Sequence, residues 1–533
     1  MSYEPLLSPA ERDMPTAEAT KAFADDDLEV VDGRHAVDTR SSNDIPKDDP
    51  AAPSPIVSSK RQRMSDLWTI LCAGCALISD GYANSLMTLI NVALQKQYPK
   101  SYTSSVRTRV SNALLVGEIL GQITVGLTCD YLGRKVAILL TTSMIILGLA
   151  LSSAAHGTSP AGLFWMLTVA RGITGFGTGG EYPASSTSAS ESANAYTLRR
   201  RGTVFILVTN LPLTFGVPLA SSIFLIVLSA AGIDHPATIW RVCFAVGIIF
   251  PLSIFYWRIR MLNSTLYRRG AIRKAVPYLL VVRYYWKALI GTCGAWFLYD
   301  FVTIPNAVFS GGIISSIVPN GSVRGTAEWQ LLLGTIALPG VIIGAFACDY
   351  LSRKTIMLIG FGGYLVFGLV IGCAYTQISG ILPLFVVLYG VMLSMGNFGP
   401  GNMVGLVSSE SYATAVRGTC YGISAAMGKA GAAVGTQVFL PIEDNLGVRW
   451  TFIIAAICGV AGMIVTFFFV PNLTGDDLAI EDESFRAYLV RHGWHGTMGE
   501  EDLKDVADAG VSEYAFEERD RNSGDASHVT ALR

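Results

Sequence analysis

The chain has 533 residues and a formal net charge of -2, with 51% hydrophobic and only 15% charged residues, where a soluble globular protein carries roughly 25% charged. Its mean hydropathy is +0.44. That composition excludes an ordinary soluble domain and fits a chain dissolved largely in lipid. No basic block is interleaved with aromatics, so nothing points to a nucleic-acid partner.

Residues 1–63 are polar and rich in Asp, Ser and Pro. They lack the apolar core of a signal peptide and read as a disordered cytosolic tail. Within them, Glu4-Pro5-Leu6-Leu7 has the form of an acidic dileucine sorting signal. Apolar segments then recur from Trp68 to Val470. They predict twelve spanning helices near 66–94, 110–130, 136–155, 162–188, 203–229, 239–257, 286–316, 328–349, 356–375, 381–408, 419–440 and 451–470. The expected layout is a six-helix half over 64–257, a basic cytosolic linker over 258–285, a second six-helix half over 286–470 and a cytosolic tail over 471–533. The fold class is all-α and membrane-embedded. Interior Gly and Pro, as in "LPLTFGVPLASS" and "GNFGPGN", are tolerated in such helices.

Lys and Arg set the expected orientation. One set of alternate loops holds Arg134 and Lys135, Arg199 to Arg201, the cluster from Arg258 to Arg283, Arg353 and Lys354, and Arg417. The other set holds far fewer, chiefly Lys100, Arg107, Arg109, Arg324 and Arg449. The rich set is read as cytosolic, with both termini. Asn320-Gly321-Ser322 then lies outside and could be glycosylated, whereas the sequons at Asn263 and Asn472 should be silent. The nine cysteines fall in or beside apolar stretches, and the six histidines do not cluster there. Neither a metal site nor a cofactor is expected.

An internal repeat organises the chain. "CDYLGRK" begins at Cys129 and "CDYLSRK" at Cys348, and "SES" begins at Ser190 and again at Ser409. Both pairs are offset by 219 residues. "RGT" at Arg201 and Arg417 is offset by 216. Three collinear matches imply a duplicated bundle of six plus six helices. Parallel repeats of this kind place a substrate site near mid-membrane, between the halves.

Gly126, Asp130, Gly133, Arg134 and Lys135 resemble the loop signature of the major facilitator superfamily, and "RGITGFGTGGEYPAS" resembles its fourth-helix signature. The resemblance implies a twelve-helix transporter and a gating role for Gly126, Asp130 and Arg134. Asp349 and Arg353 of the second copy, and Arg171 of the fourth helix, carry the same implication. Asp130 and Arg134 are expected to pair across the cytosolic gate. "GNFGPGN", "SSESYATAVRGTCYGISAAMGKAGAAVG", "GGEYPAS" and "WFLYDF" resemble the phosphate:proton symporter branch. Sugar porters do not normally carry a lysine where this chain has Lys429.

Three departures shift the expected substrate. Phosphate transporters usually have Asp at the position of Glu181, Tyr at Ile304 and Asn at Gly401. Glu181 within "GGEYPA" and Pro305 after "WFLYDF" look more like the fungal glycerophosphodiester permeases. Those import glycerophosphoinositol or glycerophosphocholine with protons. Less bulk at Ile304 and Gly401 is expected to leave room for an esterified phosphate. An inorganic phosphate:proton symporter is the alternative, and a non-transporting nutrient sensor is the alternative of another class. No enzyme is expected, since no metal pattern, nucleophile elbow or nucleotide loop is present.

Ionisable groups inside a membrane cost about 2.5–3.5 kcal/mol each, so each needs a reason to be there. Asp80, Glu118, Glu181, Asp300 and Lys429 fall within predicted helices. Lys429 is read as the one basic residue well inside a helix, available to an anionic phosphate and neutralised by Asp300 when substrate is absent. Asp80 and Glu181 are the expected proton-coupling pair, because a carboxyl in a low-dielectric cavity can load and release a proton near neutral pH. Glu118 is a weaker candidate. Tyr182 and Trp296 are expected to line the site, and Asn402 and Asn210 to contact head-group hydroxyls. The partners implied are a small organophosphate, protons and the lipid bilayer, with the chain acting as a monomer.

Overall fold

A computed structural model describes residues 60–494, 496 and 498, apart from 197–199, 233, 261–266, 268–269, 273–275, 319–320 and 474–477. The dileucine-like segment and the sequons at Asn263 and Asn320 lie outside the described residues, as do 501–533 of the C-terminal tail.

The described residues form twelve long helical rods in chain order. They are α1 (Lys60–Gln97), α2 (Ser104–Leu132), α3 (Arg134–Ser153) and α4 (Pro160–Glu181, continued by a π turn over Tyr182–Ser186 and a final stretch Thr187–Tyr196). Next come α5 (Arg201–Ala231), α6 (Pro236–Arg260), α7 (Tyr278–Ile317), α8 (Val323–Ala347) and α9 (Arg353–Cys373). Then follow α10 (Leu382–Glu410), α11 (Arg417–Leu446) and α12 (Arg449–Phe469). A shorter helix α13 (Leu478–Arg491) follows the bundle. The twelve predicted helices are all present. The longest rod is α7, whose 40 residues exceed the ~20 needed to cross a bilayer. Its first turns therefore reach beyond the spanning region.

Ten of the described helices are long and apolar enough to cross a membrane. The two rods missing from that set are α4 and α11. Their polarity has a packing reason: α4 is wedged against α2 and α3, and α11 against α7 and α2. Both carry Gly-rich faces that let backbones approach, as TM helices do where packing rather than lipid contact decides. The halves meet through α2 with α11, α5 with α8, and α1 with α7.

The end of the bundle bearing the two repeated loops, here the motif end, is sealed. Gly133 turns the chain from α2 into α3 at φ 95, a conformation that favours glycine. Its repeat mate Ser352 keeps a negative φ and instead caps α9, accepting from the Thr355 amide at 3.2 Å. The Asp130–Arg134 pair, at 2.5 Å, closes within its own loop rather than across the gate. What crosses is Asp130 itself: Oδ1, which Arg134 also holds, accepts from the Gly418 amide at 3.1 Å, and Oδ2 accepts from the Thr419 amide and hydroxyl, both at 2.7 Å. These amides are the open donors of the α11 N-terminus, where a carboxylate is favoured.

Two glutamates complete the seal. Glu191 pairs with Arg134 of its own half (3.1 Å) and Arg417 of the other (3.2 Å). Glu410 pairs with Arg353 of its own half (3.1 Å) and Arg201 of the other (2.8 Å). Asp349 does not pair with Arg353. It accepts from Thr203 of α5 at 2.6 Å, because the Arg353 guanidinium is turned to Glu410.

Candidate functional site

Asp80 and Asn84 lie one turn apart on α1, so both project from one face. Trp296, Asp300 and Ile304 do the same on α7. These faces meet α4, α5, α8, α10 and α11 around a cavity of about 170 Å³ between the halves. The fourth helix of each half is opened by a π turn, over Tyr182–Ser186 and Asn397–Gly401. Such turns re-aim side chains and are frequent at functional sites. Here they bring Tyr182, Asn397 and Gly401 to the cavity wall.

The charged centre has four members. Lys429 Nζ lies 3.2 Å from Glu118 Oε2 and 3.9 Å from Asp300 Oδ2. The ammonium also stands 5.3 Å from the centroid of the Tyr182 ring, whose negative face attracts it. The Tyr182 hydroxyl donates to Asp80 Oδ2 at 2.7 Å. Asn84 links the acids, its amide nitrogen lying 2.7 Å from Asp80 Oδ1 and 3.0 Å from Glu118 Oε1. All four ionisable groups are at most 4% exposed. Three carboxyls therefore face one ammonium, and full ionisation would leave two uncompensated negative charges in a low dielectric.

The structure joins most of the residues singled out in the sequence. Asp80, Tyr182, Asn210, Trp296, Asp300, Asn402 and Lys429 all line the cavity. Trp296 forms a wall between Tyr182 and Tyr421, with ring centroids at 6.2 and 5.6 Å. Asn210 donates to Asn402 at 2.6 Å, and Asn402 donates to the Val341 carbonyl at 2.9 Å. The two amides thus tie α5 to α10 and α8.

Four expectations need correction. Glu181 does not face the cavity. It lies on the α3–α6 side of α4, paired with Arg258 at 2.5 and 3.0 Å and accepting from Thr141 at 2.9 Å. Arg258 is accordingly no linker charge: it is 1% exposed at the end of α6. Nor is Lys429 the one buried base within the helices. Arg171 is buried in α4, where it donates to the carbonyls of Val110 (3.0 Å) and Ala83 (3.4 Å) and ties α4 to α2 and α1, away from the motif-end charges. Finally, Gly401 does not open free space, because a Cβ there would meet the Tyr299 hydroxyl at 2.5 Å. Tyr299 occupies that room and donates to Asn397 at 3.1 Å.

Glu118 is the residue the sequence reading undervalued. A signal existed: Glu118, Gln122 and Gly126 repeat every four residues on α2. The face that carries Gly126 to the other half therefore carries Glu118 there too. Packing bears on this, since a Cβ at Gly422 of α11 would collide with the Gln122 carbonyl and Gly126.

The sugar (and other) transporter family profile matches residues 68–275 and 276–485, one match per half. Glycerophosphoinositol permease 1 of Candida albicans is 56% identical over 451 residues, covering 83% of this chain and 86% of that protein. Glycerophosphoinositol transporter 1 of Saccharomyces cerevisiae is 52% identical over 446 residues, with the same coverage of 83% and 86%. A solved structure of the proton:xylose symporter XylE superposes with a TM-score of 0.69 at 17% identity, covering 79% of this chain and 99% of that one. With a duplicated twelve-rod bundle, a charged cavity between its halves and a profile matched across both, the chain is a multi-pass membrane protein that belongs to the sugar (and other) transporter family of the major facilitator superfamily.

Proposed function

We propose that this transporter imports glycerophosphodiesters, glycerophosphoinositol foremost, together with protons, by alternating access. The observation that carries the reading is a charge imbalance: Asp80, Asp300 and Lys429 line the cavity, and Glu118, outside the lining, adds a third carboxyl by pairing with Lys429. An anionic phosphodiester brings one further negative charge. It can be accommodated beside Lys429 only when carboxyls of the cluster hold protons. Substrate and proton therefore bind together for electrostatic reasons. The substrate class is supported by relatives above 50% identity that are named for glycerophosphoinositol.

The proposed sequence of events follows from the contacts. When the phosphodiester takes Lys429, Glu118 loses its counter-charge. A buried carboxylate without a partner is costly, so Glu118 takes up a proton. Asn84 passes the change to Asp80 by exchanging hydrogen-bond partners. Trp296 and Tyr182 supply the wall and a hydroxyl donor, and Asn402 and Asn210 can offer amides to a hydroxyl-rich head group. The neutralised cluster no longer holds the halves through the Lys429–Glu118 bond, which permits them to rock. Glu181 is proposed to act at one remove, by fixing α4 through Arg258. Asp130, Arg134, Asp349, Arg353 and the paired glutamates form the gate of the motif end. Arg171 fixes the helices around it.

Lys and Arg enrichment at the motif end supports a cytosolic placement of that end. The plasma membrane is the proposed address and the monomer the proposed functional unit. Counterflow in proteoliposomes tests the whole reading. Labelled glycerophosphoinositol should exchange, and an inward pH gradient should drive its accumulation. Saturable uptake of labelled phosphate that phosphodiesters fail to compete would overturn the substrate class.

A further inference from the structure

A second cavity, of about 250 Å³, lies at the end opposite the motif end, between α1, α2, α7 and α11. A close contact of α1 with α7 joins its lining to that of the central cavity. There the Thr88 hydroxyl donates to the Ala307 carbonyl at 2.7 Å. Thr88 lines the second cavity and Ala307 the first. Gly311 presses on the same threonine, with Thr88 Cγ2 at 2.8 Å from where a Cβ would stand.

The lining of this chamber is polar and basic. Lys96 from the end of α1 and Arg107 from the start of α2 face it, with Gln95 and Ser315 as neutral donors and Glu443 as its acid. Arg107 lies over the Phe309 ring, 5.5 Å from the centroid. Its Nε is shielded from solvent and bonds no acceptor. Among the described residues, no ion pair is formed by Lys96 or Arg107. An arginine with an idle N–H and a lysine with no counter-ion match the chemistry of a phosphate oxygen. Glu443 beside them suits the hydroxyls of a polyol head group.

We propose that this chamber is a second substrate subsite, which receives the phosphodiester from outside and holds it against the closed Thr88–Ala307 contact until the central cavity opens. The inference rests on the import of glycerophosphodiesters proposed above, with the motif end facing the cytosol. Lys96 and Arg107 act here on arrival of the anion, and the Lys429 cluster acts on its translocation. Because the chamber is partly open to water, its attraction should be screened by salt in a way that a buried ion pair is not.

The test is uptake of labelled glycerophosphoinositol by the full-length protein in proteoliposomes, comparing wild type with Lys96→Gln, Arg107→Gln and the double variant. The expected result is a KM raised about tenfold in the double variant, as the loss of two partly exposed charge–phosphate contacts implies, with the maximal rate kept. Raising salt should raise the wild-type KM while leaving that of the double variant flat. Lys96→Arg with Arg107→Lys should restore the low KM. An unchanged KM in the double variant overturns the proposal, as does a fall in maximal rate at constant KM, which would mark a structural or gating role. If the wild type takes up no glycerophosphoinositol, the substrate reading fails instead. The same KM comparison made with labelled inorganic phosphate still decides whether the chamber collects phosphate anions.

Discussion

Lys429 of α11 and Glu118 of α2 meet at 3.2 Å across the boundary between the two halves. The lysine is thus bound more closely to a carboxylate of the opposite half than to Asp300 of its own, at 3.9 Å. Under the alternating access proposed above, rocking must stretch or release this pair, and an anion at the lysine must compete with it.

Replacing Lys429 by Ala removes the sole base of the cluster and leaves three acids. Uptake should fall at least ~100-fold, in line with truncating one partner of a buried pair, which costs about 3–5 kcal/mol. Surface expression, measured by labelling intact cells, should stay within about twofold because the remaining carboxyls can neutralise by protonation. Near-normal uptake would remove Lys429 from the substrate site.

Glu118→Gln should separate exchange from accumulation. The amide keeps the bond with Asn84 but can neither lose nor gain a proton. Counterflow of glycerophosphoinositol is expected to persist, while accumulation under a pH gradient is lost. Intact gradient-driven accumulation would place coupling on other groups.

Glu181 and Arg258 give a contrasting case. Arg258→Ala leaves a buried carboxylate unpaired and should lower thermal stability markedly, by a cost of about 3–5 kcal/mol. Joining it with Glu181→Gln should recover most of that stability. If the pair only holds α4 to α6, the double variant retains pH-driven uptake. Loss of proton dependence in a stable double variant would return Glu181 to the coupling path.

At the motif end, Glu410→Gln deprives Arg201 and Arg353 of their shared carboxylate. The closed gate should weaken. Cys348, 1% exposed beside Arg353, should then react with a maleimide applied from the motif side, in a background lacking the other cysteines. Unaltered protection of Cys348 would argue that Asp130 and the α11 N-terminus suffice to keep that end shut.

Gly401→Ala tests the occupied space at the tenth helix. Its Cβ would crowd the Tyr299 hydroxyl at 2.5 Å, so uptake should drop about tenfold through a misplaced α7 or α10, the scale of a 1–3 kcal/mol overpacking cost. Combining it with Tyr299→Phe should restore part of the rate. No loss in the single variant would indicate that Tyr299 yields freely.

Much was determined by the sequence alone. Apolar run lengths located the twelve helices, since a spanning helix must satisfy its backbone internally over a fixed thickness. The offset between Cys129 and Cys348 revealed the duplication, and the cost of burying charge singled out Asp80, Asp300 and Lys429. Tertiary structure alone decided the partners. Helical periodicity tells which face a side chain occupies but not which helix arrives opposite it. Glu118 gained importance because α11 crosses α2 there. Glu181 left the cavity because Arg258, counted as a loop charge, lies in α6 within reach of it. Asp130 joins the two halves because both its oxygens find the α11 N-terminus some 290 residues away. Such pairings depend on crossing geometry between segments far apart in the chain, and one helical turn of displacement would exchange one ion pair for another.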